Sequence, residues 1–291
     1  MGRTDRAGVG LALIAMAIVG SSVAVSGTLT RYPLYLGQAA RYAVATGLLA
    51  LLLRREHTSA PRLRPAELLR LVALAAVGLA GFNACLIEGS KHADPSTLGV
   101  VVGATPLVLA IAGPMLQHRR PRPRVVGAAG IVVLGVVLVE GLGRTTAIGA
   151  LYAVGALAGE VLFSLLAASL LPRLGPLRLS TWVCAVAVPL LLVLGLSAGE
   201  RPQTPSATEL LALGWMALMV TVVAFLTWYS ALGRLGMERA AVFPGLIPVS
   251  ALLSAIVIGN GRFTLVGAAG AALVTAGVVT GVRSGRATVS A

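Results

Sequence analysis

The sequence predicts an all-α integral membrane protein of ten transmembrane helices, arranged as two inverted five-helix repeats with both termini cytoplasmic. Three observations predict it. Of 291 residues, 57% are hydrophobic and 11% charged, against about 25% charged in an average soluble domain, so the chain lacks the polar surface to be wetted all round. Apolar stretches of about 17–25 residues recur, each able to cross about 30 Å of hydrocarbon. They show no barrel-type alternation, and open sheets cannot satisfy their edges in lipid, which leaves helices. The third observation is an internal repeat, described below.

The spans read in order as 7–26, 33–53, 68–90, 96–116, 125–141, 147–170, 178–197, 208–232, 240–259 and 263–282. The first follows Arg3 and Arg6 and has Ala24 and Ser26 at its end. Its apolar run exceeds the roughly 7–15 residues of a signal-peptide core, so it reads as a retained span. Span two carries Arg41 about two turns in, and span three ends beside Glu88 and Lys91. Pro106 and Pro114 interrupt span four, while Pro244 and Pro248 interrupt span nine. Span six holds the single mid-membrane acid, Glu160. Span eight ends in an aromatic group, Phe225, Trp228 and Tyr229. Two connections are longer than the rest: basic Arg54 to Pro65, and polar Ser197 to Ser206.

Arginine placement sets the orientation. Of 23 basic residues, 17 fall in segments on one side and 5 on the other, with Arg41 inside a span. Positive residues stay in the cytoplasm, so the N-terminus is inside, and an even number of crossings returns the C-terminus there.

The chain repeats itself at an offset of about 140 residues, by direct comparison of the letters. Val126-Gly127-Ala128-Ala129-Gly130 recurs as Val266-Gly267-Ala268-Ala269-Gly270. Thr105-Pro106-Leu107 matches Ile247-Pro248-Val249, and Gly20-Ser21 aligns with Gly159-Glu160. Residues 1–143 and 144–291 are therefore expected to form the two halves. Five crossings per half would give them opposite sidedness, the arrangement that lets one midplane site face each side in turn.

A charged acid at a helix centre costs about 2.5–3.5 kcal/mol on insertion scales. Glu160 is accordingly a candidate proton-coupling site or anchor for a substrate ammonium; a structural pair with Arg41, or a hydrogen bond to a neighbouring helix, is the other reading. Arg41 can bind a carboxylate, tie down helix carbonyls or snorkel. Asn83 is a candidate cavity-lining group or an interhelical hydrogen bonder. Glu88 and Lys91 have the spacing of a solvated pair. Interrupted helices in matching places point to a binding site, which adds Thr105, Pro106, Phe243, Pro244 and Pro248, with carbonyls near Ala104 and Phe243–Gly245 freed to face substrate; a kink that serves packing alone is the alternative. Trp228 and Tyr229 line a cavity in one reading and form an interfacial belt in the other.

These residues resemble a known family. Five plus five helices, Arg41-Tyr42 early in span two, Tyr229-Ser230-Ala231-Leu232 closing span eight, Pro248 within span nine and the glycine-rich openings of spans five and ten are similar to the EamA-type branch of the drug/metabolite transporter (DMT) superfamily. The resemblance covers essentially the whole chain and implies a DMT-like fold and secondary active export of small metabolites, amino acids foremost, across a bacterial inner membrane. Members often carry a glutamate just after spans four and nine; Gln117 and Asn260 stand there and receive no role. Gly159-Glu160-Val161 with Phe163-Ser164 also resembles the first helix of small multidrug transporters. Since Ser21 takes the acid's place in the other half, a symmetric two-carboxylate site is excluded.

The expected partners are the lipid bilayer and a small zwitterionic or cationic substrate, exported or, in the alternatives, a multidrug or polyamine cation, or a solute taken up. No cofactor, metal or nucleic acid is expected. His57, His92 and His118 have no ligand-spaced companion, and Cys85 and Cys184 read as apolar fillers. The net charge of +13 is accounted for by orienting loops rather than nucleic-acid binding. A Walker A loop needs Gly-Lys, whereas the only lysine, Lys91, follows Ser90. An enzyme would need His, Asp or Ser groups clustered at one depth, which dispersed hydroxyls do not supply. A channel is the remaining class.

Overall fold

The computed structural model describes residues 3–29, 32–55, 63–116, 118–257 and 264–284. Among the described residues nine helical stretches are long and apolar enough to cross a membrane. They are α1 (Arg3–Ser26), α2 (Leu34–Arg54), α3 (Pro65–Gly89), α4 (Pro95–Leu116), α5 (Pro123–Glu140), the 51-residue Ala147–Ser197, α8 (Ala207–Leu235), α9 (Met237–Val257) and α10 (Leu265–Ser284). The long stretch is two helices, α6 (147–174) and α7 (176–197), meeting at Gly175 with φ 69° and ψ 168°. A side chain rarely tolerates that φ, and Pro176 is preset for the first turn of the next helix. The connection expected between spans six and seven thus shrinks to one residue.

Helix ends follow from local chemistry. Pro95 and Pro123 open α4 and α5 at first-turn positions where no backbone donor is needed. The Glu67 carboxylate accepts the Arg64 N–H at 2.8 Å at the start of α3. At the start of α8, Ser206 and Glu209 form a reciprocal capping box: Glu209 accepts the Ser206 N–H at 2.8 Å, and Ser206 Oγ accepts the Glu209 N–H. These caps sit at residues 67 and 209, an offset of 142. The same offset relates two π-helical segments, Leu74–Gly81 in α3 and Met216–Val223 in α8. It also relates the breaks of α4 and α9, where Gly103 and Gly245 precede Pro106 and Pro248 by three residues.

Glycine governs the closest helix–helix contacts. A Cβ added at Gly135 of α5 would lie 2.7 Å from the Gly270 carbonyl of α10, and one at Gly277 would lie 2.9 Å from the Ala128 carbonyl. The two backbones therefore touch along most of their length, as small residues permit. α3 meets α6 in the same manner: Gly78 lies against Phe163, and Gly159 against Val77 and Phe82. α1 meets α9 at Gly20, where Ser250 Oγ donates to the Ala17 carbonyl at 2.9 Å. α2 lies against α7, with Leu36 beside Gly195. Large apolar side chains such as Leu51, Leu69, Leu134, Leu151 and Leu211 remain exposed on the outside, a surface suited to lipid.

The acids at the two ends of the bundle are satisfied differently, by arginine side chains at one and mainly by backbone N–H groups at the other. At one end Asp5 pairs with Arg239 (3.0 Å), Arg122 with Glu238 (3.1 Å) and Glu67 with Arg173. At the other, Asp94 accepts the Arg144 N–H at 2.7 Å, and Glu200 accepts the N–H groups of Tyr35 and Leu36 at 3.0 and 2.9 Å. Tyr35 is in electrostatic range of Glu88, Tyr152 and Glu200, so the start of α6 and the end of α7 share that end. Glu88 and Lys91 form an exposed pair at 2.8 Å, as their spacing predicts.

Candidate functional site

Several polar and aromatic groups come together where α2, α3, α6, α7 and α8 meet. The glycine contact between α3 and α6 sets the approach, because Gly159 precedes Glu160 and Gly78 receives Phe163. Phe163, Phe225 and Tyr229 then form a trio of rings with each pair of centroids 5.7 Å apart, within the usual range for aromatic contact. Tyr42 is buried opposite, with Arg41, Cys184, Asn83 and Glu160 as its electrostatic neighbours. Those of Tyr229 are Cys184, Tyr42 and Glu160. Glu160, Asn83, Phe163 and Tyr229, which the sequence nominates separately, are thus brought into one neighbourhood.

Glu160 is half-buried, and among the described residues its carboxylate forms no hydrogen bond or ion pair. The pairing with Arg41 is not made. Arg41 is 8% exposed; its Nε donates to the Thr221 hydroxyl at 2.7 Å and one terminal nitrogen donates to Gln38 at 3.0 Å. Its guanidinium lies 4.9 Å from the centre of the Tyr42 ring, a cation–π distance. Asn83 donates to the Leu79 carbonyl within its own helix at 2.7 Å.

The other nominated residues lie elsewhere. Ser21 donates to the Ile18 carbonyl at 2.7 Å, one residue from the α1–α9 contact. Thr105 is buried and donates to the Val102 carbonyl at 2.6 Å. Pro106, Phe243, Pro244 and Pro248 are buried around the breaks of α4 and α9, where Gly103 and Gly245 pack against Val136 and Val132 of α5. The carbonyls expected to be freed there are occupied: Ala104 accepts from Leu107 at 3.0 Å, and Phe243 and Pro244 accept from the Leu246 N–H. A tightened turn at each break re-satisfies the backbone. Ser164 is fully buried, and its hydroxyl has no hydrogen-bond partner. Trp228 is 6% exposed, so it packs inside the bundle and does not form an interfacial belt. Gln117 and Asn260 lie outside the described residues.

Sequence reasoning missed Thr221 as a partner of Arg41. Its hydroxyl also donates to the Met216 carbonyl, five residues back, at 3.1 Å, inside the π-helical segment. Such segments occur frequently at functional sites. A hydroxyl among apolar residues was the only sign of it in the sequence.

A cavity of about 580 Å³ opens at the ion-paired end, between the α6–α7 turn and the close of α8. That volume is within the usual range for small-molecule sites. Tyr229 belongs to both its wall and the aromatic trio, which links this end to the central polar group. Among the described residues no three His, Cys, Asp or Glu side chains converge to hold a metal.

Comparison with known proteins agrees with this architecture. The EamA-like transporter family matches residues 6–141 and again 147–282. The uncharacterized transporter YetK of Bacillus subtilis is 28% identical over 274 residues, covering 91% of this chain and 83% of its own. The uncharacterized transporter YdeK of the same organism is 30% identical over 234 residues, covering 78% and 79%. A solved crystal structure shares the fold with a TM-score of 0.79 at 19% identity, covering 94% of this chain and 95% of that one. The family and these relatives are transporters, not enzymes.

Proposed function

Because the chain belongs to the EamA-like transporter family of the DMT superfamily, and is thus a multi-pass membrane protein, we propose that it exports small metabolites, amino acids foremost, across a bacterial inner membrane by secondary active, alternating-access transport. Ten helices cross the bilayer in this reading, both termini are cytoplasmic, and residues 1–143 and 144–291 form five-helix halves of opposite topology. Support comes from the features repeated at one offset, the caps, the π-helical segments and the breaks. Further support comes from the pairing of α5 with α10, α3 with α6 and α2 with α7, which joins each half to the other.

The observation that carries the reading is the Glu160 carboxylate, without an ion pair among the described residues and within electrostatic range of the buried Tyr42 and Tyr229. An acid at this depth is stabilised by an exchangeable partner, a proton or a substrate ammonium. The adjoining ring trio offers faces to a cation or to an apolar side chain. Those rings also favour a second substrate class, organic cations such as polyamines.

Purified protein in proteoliposomes loaded with labelled amino acids tests the reading. Efflux that responds to an imposed pH gradient and collapses with a protonophore is the expected result. Efflux no faster than from protein-free vesicles, for amino acids and spermidine alike, would contradict it.

A further inference from the structure

We propose that the α3–α6 seam works as a scissor with a polar fastener at each end, so that Glu160, next to the crossing, is reached from one end at a time. The inference rests on the transport reading and deepens it by naming the elements that part. The first fastener is a strap at the end opposite the ion pairs, where the α3–α4 turn meets the connector into α6. Ala93 and Thr145 form an isolated antiparallel bridge there. The Asp94 N–H donates to the Arg144 carbonyl at 2.9 Å, and the Thr146 N–H to the His92 carbonyl at 3.1 Å. The Arg144 N–H donates to the Asp94 carboxylate at 2.7 Å, and the Thr146 hydroxyl to the His92 carbonyl at 3.3 Å. The second fastener is the ion pair of Glu67 with Arg173, at the far ends of the same two helices.

Between the fasteners, among the described residues, no hydrogen bond joins α3 to α6. Glycines make the contact instead: Gly155 against Cys85, Gly159 against Val77 and Gly78 against Phe163. The crossing lies midway, since Gly159 is 13 residues after Thr146 and 14 before Arg173, giving arms of about 20 Å at 1.5 Å per residue. On α3 it falls within the π-helical segment Leu74–Gly81, a kind of turn frequent at functional sites. With the crossing held, parting one end draws the other together. The strap parts at low cost, because His92, Asp94, Arg144, Thr145 and Thr146 are exposed. Water takes the place of each broken bond, and no buried polar group is left unpaired. The ion pair is partly exposed too, and such pairs hold weakly.

The test uses the full-length Cys184→Ser chain in dodecyl maltoside, with native Cys85 as reporter. Its sulfur lies 2.8 Å from where a Cβ on Gly155 would stand, between strap and crossing. Labelling of Cys85 by N-ethylmaleimide is followed by peptide mass spectrometry. Ala93 and Thr145 are a non-hydrogen-bonded pair, with Cα atoms about 4.5 Å apart, a spacing that a disulfide spans. Oxidised Ala93→Cys/Thr145→Cys is expected to label at Cys85 about tenfold more slowly than the parent, since the reagent catches an open state populated to roughly 0.1–10%. Asp94→Ala, which removes one strap bond, is expected to speed labelling about two- to tenfold. Glu67→Arg sets like charges at the far end, and is expected to slow labelling about fivefold, the scale of a unit-charge contact in water. The exchange Glu67→Arg/Arg173→Glu is expected to restore the parent rate. The two fasteners thus act with opposite signs, whereas a general loosening would speed labelling from either end. A rate unaffected by the disulfide, or labelling unchanged or faster in Glu67→Arg, would overturn the proposal. No flux is measured, so failure here is distinct from failure of the transport reading.

Discussion

Arg41 of α2 donates through Nε to the Thr221 hydroxyl of α8 at 2.7 Å, and that hydroxyl in turn donates a hydrogen bond to the Met216 carbonyl at 3.1 Å. One bond thereby closes a charged relay between residues 180 positions apart and anchors it in a π-helical turn. The guanidinium is engaged by Thr221, Gln38 and the Tyr42 ring and makes no pair with Glu160. Thr221→Val removes the acceptor while keeping the shape. The loss of a hydrogen bond to a buried charge predicts a destabilisation of about 1.5–3 kcal/mol, read as a lowered Tm in detergent. An unchanged Tm would show that the relay is dispensable.

Glu160→Gln keeps volume and hydrogen-bonding capacity and breaks no ion pair among the described residues. The expected outcome is an unaltered Tm with loss of the response of flux to a pH gradient. Proteoliposomes that retain the wild-type response would remove Glu160 from the coupling step.

Tyr229→Phe deletes a hydroxyl that is buried without a partner. Removing such a group leaves stability within about 0.5 kcal/mol or raises it slightly. Transport is expected to weaken through a higher KM, because the unpartnered hydroxyl lies in the electrostatic neighbourhood of Glu160. A large drop in Tm with normal KM would assign it a purely structural part.

The α5–α10 seam provides an internal comparison. Gly135→Ala drives a methyl to 2.7 Å from the Gly270 carbonyl, and such overpacking predicts a loss of about 1–3 kcal/mol. Gly130→Ala on the same helix meets nothing within 4 Å and is expected to be neutral or slightly stabilising, since alanine is the better helix former. Thermal scanning of the two variants side by side checks both directions.

What could be read in the sequence was what lies in composition and spacing. The apolar runs, the 126–130 and 266–270 repeats and the breaks ahead of Pro106 and Pro248 each depend on local residue choice; the structure has helices and interruptions there, while of the repeated glycines Gly270 makes a close backbone contact and Gly127 and Gly130 do not. The Ser206–Glu209 capping box was also legible as a Ser-x-x-Glu pattern. The π-helical segments were not, for LAAVGLAG and MALMVTVV share almost no letters and nothing in either favours a widened turn. Trp228 was ambiguous because a late aromatic suits a belt or a core equally, and only packing buries it. The site itself depends on α2, α3, α6, α7 and α8 meeting, a tertiary fact with no signature along the chain.

The central claim is that corresponding segments of the two halves face opposite sides of the membrane. Ala66 and Thr208, both exposed, occupy matching first-turn positions of α3 and α8. Ala66→Cys and Thr208→Cys, in the Cys85→Ser and Cys184→Ser chain, are to be labelled with a membrane-impermeant maleimide in right-side-out vesicles. Labelling at 208 from outside, and at 66 only after the vesicles are opened, is the predicted result. Both positions reacting from one face would contradict it.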